Sequence, residues 1–154
     1  PVGIQHPRED GSVLAWVDLQ DEAISTAGDY ERFFERDGVR YHHILDPRTL
    51  QPARSCQSVT VIAREGIWAD GLDTGIFVLG PERGMELVEQ LPDVEAIIVD
   101  AEGRLLVSSG LQQRIRLPEK PVCRDKVCQQ ERSRGGLAIQ SVTHRNLDRH
   151  TRLP

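Results

Sequence analysis

Two oxygen-bearing side chains stand four residues apart in the stretch Trp68-Ala69-Asp70-Gly71-Leu72-Asp73-Thr74. On a helix, that spacing places Asp70 and Thr74 on one face, one turn apart. A carboxylate and a hydroxyl both offer hard oxygen. Magnesium takes such donors, commonly one or two from protein beside phosphate and water. The competing reading is a helix terminus, with Asp70 complementing the dipole and Thr74 bonding back to a carbonyl. Spacing alone favours that plainer reading. Asp73 lies on the adjoining face, either supporting the pair or simply solvated.

A second candidate is Tyr41-His42-His43-Ile44-Leu45-Asp46-Pro47-Arg48-Thr49. In a strand the two histidines point to opposite faces, so one of them at most enters a given pocket. Periodicity does not decide which. A histidine near neutral pKa suits removal of a proton from an attacking hydroxyl. The ordinary alternative is one buried hydrogen-bonder and one exposed residue. Asp46-Pro47-Arg48 reads as a turn in which Asp46 bonds to the backbone. The third candidate, Ser25-Thr26-Ala27-Gly28-Asp29-Tyr30, is a small-residue stretch that lets a backbone approach a ligand or a neighbouring strand closely. Glycine-rich dinucleotide motifs and P-loops are absent, which excludes a Rossmann-type grip on a dinucleotide.

The elements that must position these residues follow from the apolar pattern. Val13 to Leu19 alternates and predicts a strand. Ala23 to Thr26 continues extended until Ala27-Gly28-Asp29 breaks it. Asp37-Gly38 marks a hairpin between Tyr30–Phe34 and a strand over Val39–Leu45. Asp46-Pro47 stops that strand, Pro52 keeps the next stretch in a loop, and Ser58 to Ala63 is a buried β-branched strand. Leu72, Ile76 and Leu79 predict a helix over Ala69 to Leu79, ended by Gly80-Pro81. Pro81 opens a second helix carrying Met85, Val88 and Leu91. Glu95 to Asp100 and Arg104 to Ser108 form a hairpin around Ala101-Glu102-Gly103. Strands, two consecutive helices and a hairpin point to an α+β fold with a mixed or antiparallel sheet. Periodicity fades beyond Leu111, so residues 1–110 are expected to fold as one unit and residues 111–154 to form a basic tail.

Composition bounds the function. The 154 residues carry a formal net charge of −5, which argues against nucleic acid as a partner. From Glu119 onward the balance is reversed, with Lys120, Arg124, Lys126, Arg132, Arg134, Arg145, Arg149 and Arg152 against four acids. This reads as a solvated, loosely folded segment rather than an RNA site. Cys56, Cys123 and Cys128 make no disulfide framework and no zinc set; a local Cys123–Cys128 bridge and two idle thiols are both open. No apolar run is long enough to span a bilayer.

Taken together, the three stretches resemble the FAD:protein FMN transferases, the ApbE family. Its members carry Thr-Ser-Gly-Asp-Tyr, His-Ile-x-Asp-Pro-x-Thr-Gly and Ala-Asp-Ala-Leu-x-Thr-Ala followed by Val-Leu-Gly. Here these stand, in the same order, as Thr26–Tyr30, His43–Thr49, Ala69–Gly75 and Val78-Leu79-Gly80. The resemblance covers roughly residues 1–110 and matches the later half of a typical member, so the fold is expected to be incomplete relative to the family's. It implies that Asp70 and Thr74 bind Mg2+, and that His43 acts at the FAD phosphates or on the acceptor hydroxyl. It also implies that Thr26, Gly28, Asp29, Tyr30, His43, Asp46 and Thr49 line the flavin site. The implied reaction moves FMN from FAD, the donor, to a Thr or Ser hydroxyl of an acceptor flavoprotein in a redox complex, releasing AMP. The resemblance further implies an exported, periplasmic protein, membrane-associated through a lipoprotein-type anchor in a segment preceding this one. Two alternatives stand beside it: an FAD-binding or FAD-cleaving relative without an acceptor, and a non-catalytic fragment lacking the first half of the site. Against the family pattern, Ala27 replaces serine, Leu50 replaces glycine, and Gly71 and Gly75 replace alanines. Each glycine weakens an exposed helix by about 0.5–1 kcal/mol.

Overall fold

The computed structural model describes residues 1–118 and 139–141. Its centre is a five-stranded sheet in the order β12-β10-β9-β8-β3. The strands are β3 (Ala23–Gly28), β8 (Cys56–Ala63), β9 (Val94–Asp100), β10 (Leu105–Val107) and β12 (Ile139–Ser141). All neighbours are antiparallel except β10 and β12, which run parallel. Helices α1 (Gly66–Leu79) and α2 (Pro81–Val88) cover one face. A smaller sheet of β1 (Val2–Gln5), β2 (Val13–Val17) and β11 (Ile115–Arg116) covers the other. The expected α+β class with a mixed sheet and two consecutive helices is what the chain adopts.

This layering explains why β8 and β9 read as unbroken apolar runs. Successive side chains of a strand point to opposite faces, and here both faces are covered. Val59, Val61, Ala96 and Ile98 meet Ala69, Ile76, Phe77, Met85 and Val88 on the helix side. Ile62, Ile97 and Val99 meet Ile4, Leu14, Ala15 and Val17 on the other. The two helices close tightly at Gly84, where a Cβ would lie 2.6 Å from Ile76 Cγ2.

Several elements differ from the sequence expectation. Helix α1 begins at Gly66, three residues before Ala69, because Trp68 and Ala69 both donate to the Glu65 carbonyl. Its buried stripe is Ala69, Asp73, Ile76 and Phe77, with Leu72 and Leu79 only half-buried. Helix α2 stops at Val88, leaving Leu91 in the following turn. Strand β3 runs through Ala27 and Gly28, its pairing with β8 ending at Gly28 opposite Ser58.

Residues 29–55, between β3 and β8, form an arm of two small hairpins. Strands β4 (Phe33–Arg36) and β5 (Val39–His42) turn at Asp37-Gly38 as expected, but β5 ends at His42 rather than Leu45. A second ladder, β6 (Leu45–Asp46) with β7 (Gln51–Pro52), takes in the Pro52 expected in a loop. Pro52 is tolerated at this short ladder because it needs no donor there.

The folded unit also runs past residue 110. Leu111 is fully buried, and Ile115 and Arg116 pair with Val17 and Trp16. A two-residue strand is too short to leave a periodic signal, which is why the expected tail began too early. Ile139–Ser141 adds the strand beside β10. The remainder of the basic tail, with Cys123 and Cys128, lies outside the described residues.

Candidate functional site

Asp70 and Thr74 both lie exposed on α1. Between them in sequence, Asp73 turns the other way and is 3% exposed. Ser25 Oγ donates to Asp73 Oδ2 at 2.7 Å, and Thr74 Oγ1 donates to Asp73 Oδ1 at 3.0 Å. Thr74 therefore spends its proton on the neighbouring carboxylate rather than on the backward carbonyl bond that a helical threonine often makes. Its oxygen lone pairs are left for a ligand. Asp73 is buried rather than solvated, and Ser25 ties α1 to the edge of the sheet.

The two histidines separate cleanly. His42 is 8% exposed, packs edge-on against Phe77 at 5.7 Å, and places Nε2 2.8 Å from the Ala53 carbonyl. A carbonyl only accepts, so Nε2 carries the hydrogen. Nδ1 then accepts from the Ile44 amide at 3.3 Å. Both nitrogens are occupied by the neutral ring, and burial lowers its pKa. His43 is exposed, with its ring outside these bonds and its amide held by the Arg32 carbonyl. Of the two, His43 is the one exposed to solvent, a distinction that alternation could not make.

The small-residue stretch is close-packed against its own neighbour. A Cβ on Gly28 would lie 2.5 Å from Tyr30 Cε1, so the glycine makes room for the half-buried tyrosine ring. Burial raises the Tyr30 pKa, with Glu31 and Asp29 adding to the shift. Asp29 is clamped: Arg8 bonds both its oxygens at 2.6 and 2.7 Å, and Arg40 approaches to 3.4 Å. Thr26 is exposed, and its hydroxyl lies 2.9 Å from that of Thr60, the residue directly opposite on β8.

Asp46 forms the expected turn. Its carboxylate accepts from the Arg48 amide at 2.9 Å and from the Arg48 guanidinium at 3.0 and 2.8 Å, which holds its pKa below the usual range. Thr49 Oγ1 accepts from the Gln51 amide at 3.3 Å. Leu50, where the family pattern has glycine, adopts φ of 56° and is 73% exposed.

Thus β3 meets α1 through Ser25 and Asp73, and the arm rests on α1 through His42 and Phe77. No side-chain hydrogen bond or ion pair among the described residues joins His43 to Asp70 or Thr74. Among those residues, too, no group of three or more His, Cys, Asp or Glu is arranged around a metal position. Two exposed hard oxygens nonetheless fit magnesium, which seldom uses an all-protein cage and takes phosphate and water for its other positions. Sequence reasoning placed Ser25 in a candidate stretch without its bond to Asp73, and missed the Arg8–Asp29 clamp. It also left Asp73 undecided, although an acid four residues from Ala69 and three from Ile76 marks a polar group on the buried stripe.

Comparison with known proteins places this geometry in a family. The ApbE family model matches residues 1–98. An FAD:protein FMN transferase of Treponema pallidum is 43% identical over 118 residues, which is 75% of this chain and 33% of that protein. One from Vibrio cholerae is 44% identical over 115 residues, 72% of this chain and 34% of its own length. The crystal structure of the ApbE protein from Thermotoga maritima superposes with a TM-score of 0.68 at 40% identity, covering 75% of this chain and 38% of that one. The flavin transferase ApbE from Vibrio cholerae superposes at 0.60 and 34% identity, covering 73% and 37%. The chain belongs to the ApbE family. It spans about a third of the length of these curated relatives.

Proposed function

We propose that this chain supplies part of the site for magnesium-dependent transfer of FMN from FAD to a Thr or Ser hydroxyl of an acceptor flavoprotein, with release of AMP. The observation that carries the reading is the exposed Asp70–Thr74 pair on α1, with the Thr74 proton directed inward to Asp73. Magnesium held by Asp70 and Thr74 would neutralise charge on the FAD pyrophosphate. His43 accepts the proton of the attacking hydroxyl, whose oxygen bonds to the FMN phosphorus as the bridge to AMP breaks. The clamped Asp29 fixes the start of the arm that carries His43, and the Asp46–Arg48 turn holds its second hairpin. Family resemblance supports an acceptor in a redox complex and an exported, membrane-associated setting.

The test is FAD binding and transfer with this chain, with and without magnesium and a threonine-bearing acceptor. AMP release and flavin attached to the acceptor are the readouts. Both are expected to need magnesium and to vanish in Asp70→Asn, with the fold intact by circular dichroism. Full transfer by that variant, with metal still required, removes the assignment. AMP release independent of acceptor makes the protein an FAD-cleaving relative. No FAD binding under any condition would instead indicate a non-catalytic portion of the fold.

A further inference from the structure

Asp73 is an acid on an otherwise apolar stripe, between Ala69 and the pair Ile76 and Phe77. It is 3% exposed, and no Lys, Arg or His forms an ion pair with it among the described residues. An unpaired buried carboxylate opposes folding, and an apolar side chain would serve the packing better. What the carboxylate does gain is two hydroxyl donors, one on each oxygen: Ser25 from β3 and Thr74 from its own helix.

We infer that Asp73 is a positioning residue that fixes the Thr74 hydroxyl as a cation donor, an inference that rests on the magnesium reading of Asp70 and Thr74. A hydroxyl has one proton and two lone pairs. By accepting that proton, Asp73 locks the Thr74 side chain in one rotamer and turns its lone pairs outward. Ser25 holds Asp73 in turn, so a residue of the sheet edge sets the geometry of a donor on the helix. The buried negative charge also lies one hydrogen bond behind the cation position, where it adds to the attraction exerted by Asp70. Partners of this kind, behind a ligating group, typically change metal affinity by about 10–100-fold when removed.

The experiment uses the 154-residue chain with Mn2+ alone as the probe, followed by electron paramagnetic resonance. NMR couplings to the Thr74 methyl report its rotamer. In the wild type, Mn2+ binds and Thr74 holds a single rotamer. In Asp73→Ala, Mn2+ affinity falls roughly tenfold or more and Thr74 averages between rotamers. Ser25→Ala shifts both readouts in the same direction by less. Asp70→Asn abolishes Mn2+ binding but leaves the Thr74 rotamer fixed. Should Asp73→Ala lose the fold, Asp73→Asn keeps the shape without the charge, and its Mn2+ affinity is expected to fall several-fold. A single unchanged Thr74 rotamer in Asp73→Ala, or wild-type Mn2+ affinity in Asp73→Asn, overturns the inference. Absence of Mn2+ binding by the wild type overturns the magnesium reading, and the Thr74 rotamer in Asp73→Ala still decides whether Asp73 positions it.

Discussion

Helix α1 and the arm of residues 29–55 both carry residues expected at a flavin site, yet they are held by opposite means. Helix α1 lies on a sheet buried on both faces, with Ala69, Ile76 and Phe77 fully enclosed. The arm has little core of its own. Phe33, Phe34, Leu45 and Leu50 are all exposed, and its order comes from the Arg8–Asp29–Arg40 clamp, the Asp46–Arg48 turn and the seat of His42 on Phe77. Apolar burial therefore fixes the proposed metal donors, while the arm that carries the proposed base joins that core only through Ile44, Ala53 and the His42–Phe77 contact and is otherwise held by polar bonds.

The sharpest way to break the contrast is Phe77→Ala, because that ring serves both regions. Emptying so large a fully buried side chain is expected to cost about 3–5 kcal/mol, read as a lowered urea midpoint with helix and arm lost together. Asp29→Asn should separate them. It leaves two guanidinium groups facing a neutral amide, at about 2 kcal/mol once the partial exposure of both arginines is allowed for. Limited proteolysis should then cut within residues 29–55 while α1 stays protected; equal protection of both would contradict the division.

His42 sharpens the comparison through pH. Its folded pKa lies below its ordinary value of about 6.5. The unfolded chain therefore binds the proton first, and stability is lost as pH falls from near neutral through that value toward the folded one. Urea titrations at pH 7.5 and pH 5 should show this loss, and His42→Gln, which can still donate to the Ala53 carbonyl, should show less of it. The smallest effects are gains. Leu50→Gly relieves a left-handed backbone and should stabilise the arm by about 0.5–1 kcal/mol. Gly71→Ala, where a Cβ meets open space, should stabilise α1 by a similar amount of about 0.5–1 kcal/mol. Thermal midpoints that fall in either variant would contradict the local geometry.

The same division governs what could be read from the sequence. Strands β8 and β9 and both helices were legible because burial leaves a period, and Gly80-Pro81 marks the break between helices. The start of α1 was not, since Glu65 makes no side-chain cap and Ile67 and Trp68 are exposed despite being apolar. Strands β6, β7 and β11 are two residues each, too short for any period. At the site, the shared motifs singled out Asp70, Thr74 and His43, but not what surrounds them. Alternation could not choose between His42 and His43, because the choice depends on the Ala53 carbonyl eleven residues away. Spacing left open whether Asp73 supports the pair or faces solvent, and the hydroxyls of Thr74 and of Ser25, 48 residues away, account for where it sits.

Strand β3 is an outer strand, paired only to β8 among the described residues. Outer strands open in sub-global fluctuations at lower free energy than the strands they border. When β3 lifts from β8, Ser25 leaves Asp73 while the packing of β8, β9 and α1 persists. The amides of Ala23–Gly28 should accordingly exchange with solvent sooner than those of Cys56–Ala63. The order of the site is then set by the fraying of one sheet edge and not by the melting of the core.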